Sequence, residues 1–315
     1  METHEQSQAR FQAALDGLTA LLEQDMYVLA AIVYGSVARG EAWEKSDLDI
    51  VIVLRDDPQR RSTPIAHRWL DYRGINISAE VITRDRFKRM MDGALQGSIS
   101  HSIRSHARLL LCKDESIAAW YNESAQIGAH DRAIQLLRAV CEVVPTLDKA
   151  EKWLTVKGDP LYSLVWTLYT VNALARVEVV LNGEAPGREV IHQALRFNPE
   201  FFGAVYTDLI EGPKDAAALQ AALERIDAYL EERAETLFAP VLDHLAEVQD
   251  ARAASELTAY FSKRAQTTGL FWAYEWLARK GIVQRLSAPV RLTRKSPIEL
   301  DEPAYYYDGD GSDWE

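Results

Sequence analysis

Two acidic residues open an otherwise apolar segment of the chain. Asp47 and Asp49 stand two positions apart at the start of LDIVIVL, whose β-branched residues predict a buried strand. Because successive side chains of a strand alternate between its faces, both carboxylates point to the same side. Two like charges beside a hydrophobic run are costly unless a cation is held between them. Oxygen ligands on a rigid strand suit Mg²⁺, so the pair predicts a metal site.

A second polar segment follows the preceding predicted strand. The run MYVLAAIVY leads directly into Gly35 and Ser36. Glycine lets backbone N–H groups approach a phosphate closely, and the hydroxyl of Ser36 and the guanidinium of Arg39 offer further anion contacts. Ser46, directly before Asp47, belongs to the same combination. These residues predict a phosphate-and-metal site, and the alternative is a solvated strand end that carries an incidental Asp-x-Asp.

The segment GINISAEVIT predicts a third strand that carries a further acid. Alternation places Asn76, Ser78 and Glu80 on one face of this strand and its apolar residues on the other. Glu80 therefore points away from the packed face, as a metal ligand should.

These motifs resemble the polymerase-β-like nucleotidyltransferase superfamily, in which an apolar strand, Gly-Gly or Gly-Ser and a later acid-x-acid pair follow one another. The resemblance covers residues 30–83 closely. It implies that the loop at Gly35 and Ser36 binds ATP or another NTP as substrate. It also implies two Mg²⁺ ions held by Asp47, Asp49 and, as the third carboxylate, Glu80.

The chain as a whole reads as an α+β protein of three parts. Residues 1–115 predict an α/β catalytic domain with a mixed sheet, including a helix near Ile65–Tyr72. Residues 116–250 predict a helical substrate-binding bundle centred on the apolar helix that follows Asp159 and Pro160. Residues 251–315 predict a winged-helix-like module of two helices, a hairpin made from IVQRLS and PVRLTR, and an acidic tail.

Part of the helical region is similar to the aminoglycoside nucleotidyltransferases, especially the kanamycin type. The similarity rests on DKAEKWLTVKGDPLYSLVW, with its acid, A-x-K-W and long apolar helix, and on GREVIHQAL after it. It implies that Asp148 is the general base on an acceptor hydroxyl, where that family has Glu, and that Lys152 contacts the nucleotide phosphates. It implies a homodimer as well. Residues four apart on one helix face are equally the spacing of a surface ion pair.

Charge and composition indicate the partners and the compartment. The formal net charge of −12 disfavours nucleic acid and suits a cationic acceptor. A polar N-terminus and the lack of an apolar run as long as a membrane span predict neither signal peptide nor membrane anchor. The two cysteines, Cys112 and Cys141, lie in apolar stretches, as expected of buried thiols in the reducing cytoplasm.

Three functions remain open on these observations. The first is a Mg²⁺-dependent nucleotidyltransferase that moves NMP, with AMP from ATP favoured, onto a hydroxyl of a small cationic acceptor such as an aminoglycoside. The second modifies a protein or an RNA, as toxin-antitoxin members of the superfamily do. The third is a nucleotide- or nucleic-acid-binding regulator without transferase activity, suggested by nine Lys and Arg against two Glu between Arg252 and Lys295.

Overall fold

The computed structural model describes residues 2–56, 66–92, 107–124, 129–265, 267–293 and 295–309. The chain forms two compact units, Met1–Ile127 and Gly128–Glu315. The elements of the first unit are α1 (His4–Gln24), β1 (Val28–Tyr34), α2 (Gly35–Arg39), β2 (Leu48–Leu54), β3 (Ala66–Tyr72), β4 (Ile75–Thr83), α3 (Arg84–Asp92), β5 (Arg108–Cys112) and α4 (Glu115–Ser124).

The five strands of this unit form one mixed sheet in the order β3-β4-β2-β1-β5. β2 and β4 are parallel, whereas the other neighbouring pairs are antiparallel. One face of the sheet packs against Phe11 and Leu15 of α1, and the other packs against Phe87 of α3 and Ile117 of α4. The structure confirms the α+β class and the mixed N-terminal sheet.

One element predicted in this unit is wrong. The chain around residues 65–72 was expected to form a helix, but residues 66–72 form the edge strand β3, antiparallel to β4, and residue 65 lies outside the described part. Arg73 and Gly74 connect the two strands with positive φ angles of 54° and 77°. Two successive residues with positive φ are typical of the type I′ turn that closes a two-residue β-hairpin.

The second unit begins with a helical bundle. Its elements are α5 (Ala129–Thr155), α6 (Pro160–Leu181), α7 (Val190–Phe197), α8 (Pro199–Phe202), a π-helical turn (Gly203–Thr207), α9 (Asp208–Glu211), α10 (Ala216–Glu232), α11 (Ala234–Leu237), α12 (Ala239–Val248), β6 (Arg252–Ala253), α13 (Ala254–Ala265), α14 (Leu270–Arg279), β7 (Gln284–Val290) and β8 (Leu300–Tyr306).

The helix α6 lies beside α5, with Val171, Leu174 and Val177 fully buried. Asp159 caps it by accepting the N–H of Tyr162, and Pro160 occupies its first turn, as expected. Contrary to the sequence analysis, α6 is long and apolar enough to cross a membrane by length and composition, although 56% of its most apolar window is buried in the protein. The core helix of a bundle can have the same length and apolar composition.

The C-terminal hairpin uses different residues from those predicted. β7 combines parts of both predicted strands, and its partner β8 comes from the segment assigned to the acidic tail. The two pair from Gln284 with Tyr306 to Val290 with Leu300. Tyr305 in β8 is fully buried, and its hydroxyl donates to Glu275 at 2.6 Å. Burial of Ala304 and Tyr305 explains why an acidic segment is held as a strand.

Candidate active site

The turn after β1 brings a glycine against the second acid of the pair. Gly35 directly follows Tyr34, and Tyr34 is the register partner of Asp49 on β2. Gly35 has a φ of 78°, and a Cβ added to it would lie 2.4 Å from Asp49 Oδ2. Because no L side chain fits this φ or this space at low cost, glycine is required here. The carboxylate of Asp49 is thereby held against the backbone at the start of α2.

The remaining residues predicted to bind phosphate surround this turn. Ser36 Oγ and Ser46 Oγ lie 3.3 Å apart, and Ser46 Oγ also accepts the backbone N–H of Trp43 at 3.1 Å. These bonds tie α2 to the chain that enters β2. Arg39 Nε lies 2.6 Å from Glu41 Oε2, an ion pair that the sequence did not predict. A nucleotide phosphate would therefore compete with Glu41 for this guanidinium.

Strand register places the carboxylates on a common face. Paired residues of neighbouring strands point to the same side of a sheet. Asp49 pairs with Ser78, and Val51 pairs with Glu80, so Asp49 and Glu80 share the face opposite α1. Asp47 lies one residue before β2, and both Asp47 and Asp49 are partly exposed.

Glu80 lies on the predicted face, but its surroundings differ from the expectation. The side chain is 6% exposed, and its Oε2 atom has no hydrogen-bond partner. Burial raises the pKa of this carboxyl, and the charges of His67 and Arg86 partly oppose that shift. A buried carboxylate oxygen without a partner is costly, so Glu80 is a side chain that a cation would stabilise.

The donor set fits a divalent metal in its chemistry. Asp47, Asp49 and Glu80 supply the carboxylate oxygens that Mg²⁺ prefers, and the buried Oε2 of Glu80, which has no hydrogen-bond partner, fits a metal ligand. Within the described residues, no three His, Cys, Asp or Glu side chains are gathered closely enough to form a metal site by themselves. Mg²⁺ commonly takes only one or two protein carboxylates, with substrate phosphates completing its shell.

We expect Glu80→Gln to stabilise the metal-free protein while it abolishes catalysis. The neutral amide avoids burying a charge, so the free energy of unfolding should rise by about 1 kcal/mol at neutral pH. Since the folded pKa lies above the ordinary value of 4.5, wild-type stability falls as pH rises from about that value towards the raised pKa. Denaturation with urea between pH 5 and 8 checks this, and a less stable variant at pH 8 would contradict it.

Two neighbours of Glu80 were not identified from the sequence. His67 of β3 is the register partner of Glu80, and its Nε2 lies 3.0 Å from Ser78 Oγ in a hydrogen bond. Trp69 is the register partner of Ser78 and is 70% exposed. The signal that could have found them is the x-Gly turn at Arg73 and Gly74, which marks the hairpin.

The second unit holds the two residues assigned by the kanamycin-type resemblance. Asp148 on α5 forms an ion pair with Arg279 of α14, with Oδ1 and Nη2 2.9 Å apart. Lys152, one turn further along, is exposed, and the structure shows no ion pair between it and Asp148. Burial and the charge of Asp148 raise the pKa of Glu151 on the same helix. Asp148 is thus held by a cation from a distant part of the sequence.

In the first unit, a Gly-Ser turn packs against Asp49 of a mixed sheet, and Glu80 lies on the same face of that sheet. Residues 17–116 match the family model described as "Polymerase beta, Nucleotidyltransferase". The matched part of the first unit is therefore a nucleotidyltransferase domain of the polymerase-β type.

The similarity to solved structures extends beyond this domain. The chain is similar to a nucleotidyltransferase-like protein from Exiguobacterium sibiricum 255-15, with a TM-score of 0.62 and 14% identity over 94% of this chain and 99% of that one. At this identity the similarity shows a shared fold alone. A search of the curated proteins found no significant match.

Proposed function

We propose that the protein is a Mg²⁺-dependent nucleotidyltransferase that moves AMP from ATP onto a hydroxyl of a small cationic acceptor such as an aminoglycoside. The observation that carries the proposal is the close packing of Gly35 on Asp49, which brings a carboxylate oxygen against the backbone at the start of α2. This packing is expected where the backbone N–H groups at Gly35 and the carboxylate of Asp49 both approach one phosphorylated ligand.

In this proposal, different residues of the first unit bind the nucleotide phosphates and the metal at which the acceptor hydroxyl attacks. Ser36 and the backbone at Gly35 bind the terminal phosphates, and Arg39 exchanges Glu41 for a phosphate oxygen. Asp47, Asp49 and Glu80 would hold Mg²⁺, which when bound neutralises phosphate charge and favours in-line attack on the α-phosphorus. The acceptor hydroxyl attacks, its proton passes to a carboxylate, and pyrophosphate leaves.

Asp148 is the proposed base for that proton, with Lys152 as a phosphate contact. The carboxylate of Asp148 is oriented by its ion pair with Arg279, with Oδ1 and Nη2 2.9 Å apart. The net charge of −12 favours a cationic acceptor by long-range attraction. We also propose that the protein acts in the cytoplasm and as a homodimer.

The proposal is tested by incubating the protein with ATP labelled at the α-phosphate and Mg²⁺ against separate panels of aminoglycosides, total RNA and cell lysate. Label transferred to an aminoglycoside supports the proposal. Label on RNA or protein alone favours the second function. No labelled product and no pyrophosphate with any acceptor would exclude both enzymatic functions, and salt-sensitive DNA binding would then favour the regulator.

The role of Asp148 is tested separately. If Asp148 is the base, Asp148→Asn should lower kcat about a hundredfold or more while the KM for ATP changes little. Arg279→Met is the matched control, because the exposed ion pair contributes less than about 1 kcal/mol to stability. Equal kcat in Asp148→Asn and wild type would assign the proton to another group, such as Glu80.

A further inference from the structure

The edge strand β3 presents an exposed aromatic side chain on the same face as the catalytic carboxylates. Trp69 pairs with Ser78 of β4, and Ser78 pairs with Asp49 of β2, so the three residues form one row across the sheet. Neighbouring strands lie about 4.8 Å apart, which places the Cα atoms of Trp69 and Asp49 about 10 Å apart. The indole therefore stands beside the proposed metal site, on the side of Glu80.

The indole is supported on one side and open on the other. The rings of His67 and Trp69 meet edge to face, with centroids 4.8 Å apart and planes inclined at 65°. His67 is itself fixed by its hydrogen bond to Ser78 Oγ. Yet 70% of Trp69 is exposed. An indole that is held in position by a neighbouring ring and open to solvent offers its aromatic face to a ligand.

The charges around the indole favour one kind of ligand. Strand alternation puts Asp71 on the same face as Trp69, and Asp71 Oδ1 accepts the N–H of Gly74 at 3.3 Å, which fixes this carboxylate at the hairpin end. Glu80 lies on the other side, in the row of His67. The charge of Arg86 partly offsets that of Glu80. An aromatic face flanked by carboxylates suits a ring compound with protonated amino groups.

We infer that Trp69, supported by His67, is the platform on which the acceptor stacks, and that this acceptor is a hydroxyl-bearing ring compound with protonated amino groups. The inference rests on the proposed function, in which the acceptor hydroxyl attacks a nucleotide bound at the proposed metal site of Asp47, Asp49 and Glu80. It adds a specificity-determining residue that touches the acceptor and not the nucleotide. Cation–π attraction and contact between ring C–H groups and the indole provide the affinity.

The test uses kanamycin as the acceptor probe and the full chain with Mg²⁺ and ATP. Trp69→Ala should raise the KM for kanamycin roughly tenfold, with the KM for ATP unchanged, and Trp69→Phe should retain most of the affinity. Leu70→Ala is the matched control, because Leu70 is 41% exposed on the opposite face of the same strand. An unchanged KM for kanamycin in Trp69→Ala, or an equal loss in Leu70→Ala, would overturn the inference.

Calorimetric binding separates this inference from the proposed function. Kanamycin and a non-hydrolysable ATP analogue with Mg²⁺ are titrated separately into wild type and Trp69→Ala. Weaker kanamycin binding in the variant, with equal nucleotide binding, supports the platform. Wild type that binds the nucleotide but no kanamycin contradicts the inferred acceptor class and leaves the transferase intact. Failure to bind the nucleotide contradicts the proposed function itself.

Discussion

Asp49→Asn and Asp47→Asn should each lower kcat/KM for nucleotidyl transfer at least about a thousandfold, equal to about 4 kcal/mol of transition-state stabilisation. Asparagine keeps the shape of the side chain but loses the charge that holds a divalent cation. The fold should survive, because both acids are partly exposed at the start of β2. Steady-state kinetics of pyrophosphate release, with circular dichroism to verify folding, measures the effect.

A control variant makes the result specific to the site. Asp16→Asn removes the charge of an exposed residue of α1 in the same unit. In the described structure, the side chain of Asp16 accepts a hydrogen bond from Gln12, one turn away on the same helix. Activity close to that of wild type is expected. If either site variant kept more than about a tenth of the wild-type activity, the alternating acids would not be the metal ligands of the reaction.

Gly35→Ala should have the second-largest effect. The new Cβ would clash with Asp49 Oδ2, which would lie 2.4 Å away. Alanine also disfavours the φ of 78° at this position. We expect a loss of about 3 kcal/mol in the free energy of unfolding and a loss of transfer of about a hundredfold or more, because Asp49 must move. Urea denaturation and steady-state kinetics measure the two losses.

The Gly40→Ala variant distinguishes the cost of a positive φ from the cost of the steric clash with Asp49. Gly40 has a φ of 74°, but an added Cβ would meet nothing within 4 Å. Its replacement should therefore cost only about 1 kcal/mol in stability and leave transfer nearly unchanged. Equal losses in the two variants would show that the contact between Gly35 and Asp49 has no catalytic importance.

The parts of this site that the sequence predicts are those governed by local alternation. The face of the sheet on which Asp49 and Glu80 lie follows from period-two patterning within two apolar strands. The burial of Glu80 does not follow, because it depends on the helices that cover this face of the sheet. The contact of Gly35 with Asp49 does not follow either, since it needs the pairing of Tyr34 with Asp49 across two strands.

The edge strand was mispredicted for a related reason. β3 has a neighbour on one side only, and residues 67–71 are exposed, so its sequence carries no apolar alternation that would distinguish a strand from a helix. The hairpin turn at Arg73 and Gly74 instead determines that this segment pairs with β4 as a strand. The ion pair of Asp148 with Arg279 spans 131 positions and arises from bundle packing that local patterns do not specify.

The most direct test of the central claim compares two positions of the label in ATP. The protein is incubated with Mg²⁺, kanamycin and ATP labelled either at the α- or at the γ-phosphate, and the labelled products are separated. A nucleotidyltransferase places the α-label on kanamycin and releases the γ-label as pyrophosphate. Kanamycin labelled from the γ-phosphate, or intact ATP under both conditions, would contradict nucleotidyl transfer to this acceptor at Asp47 and Asp49.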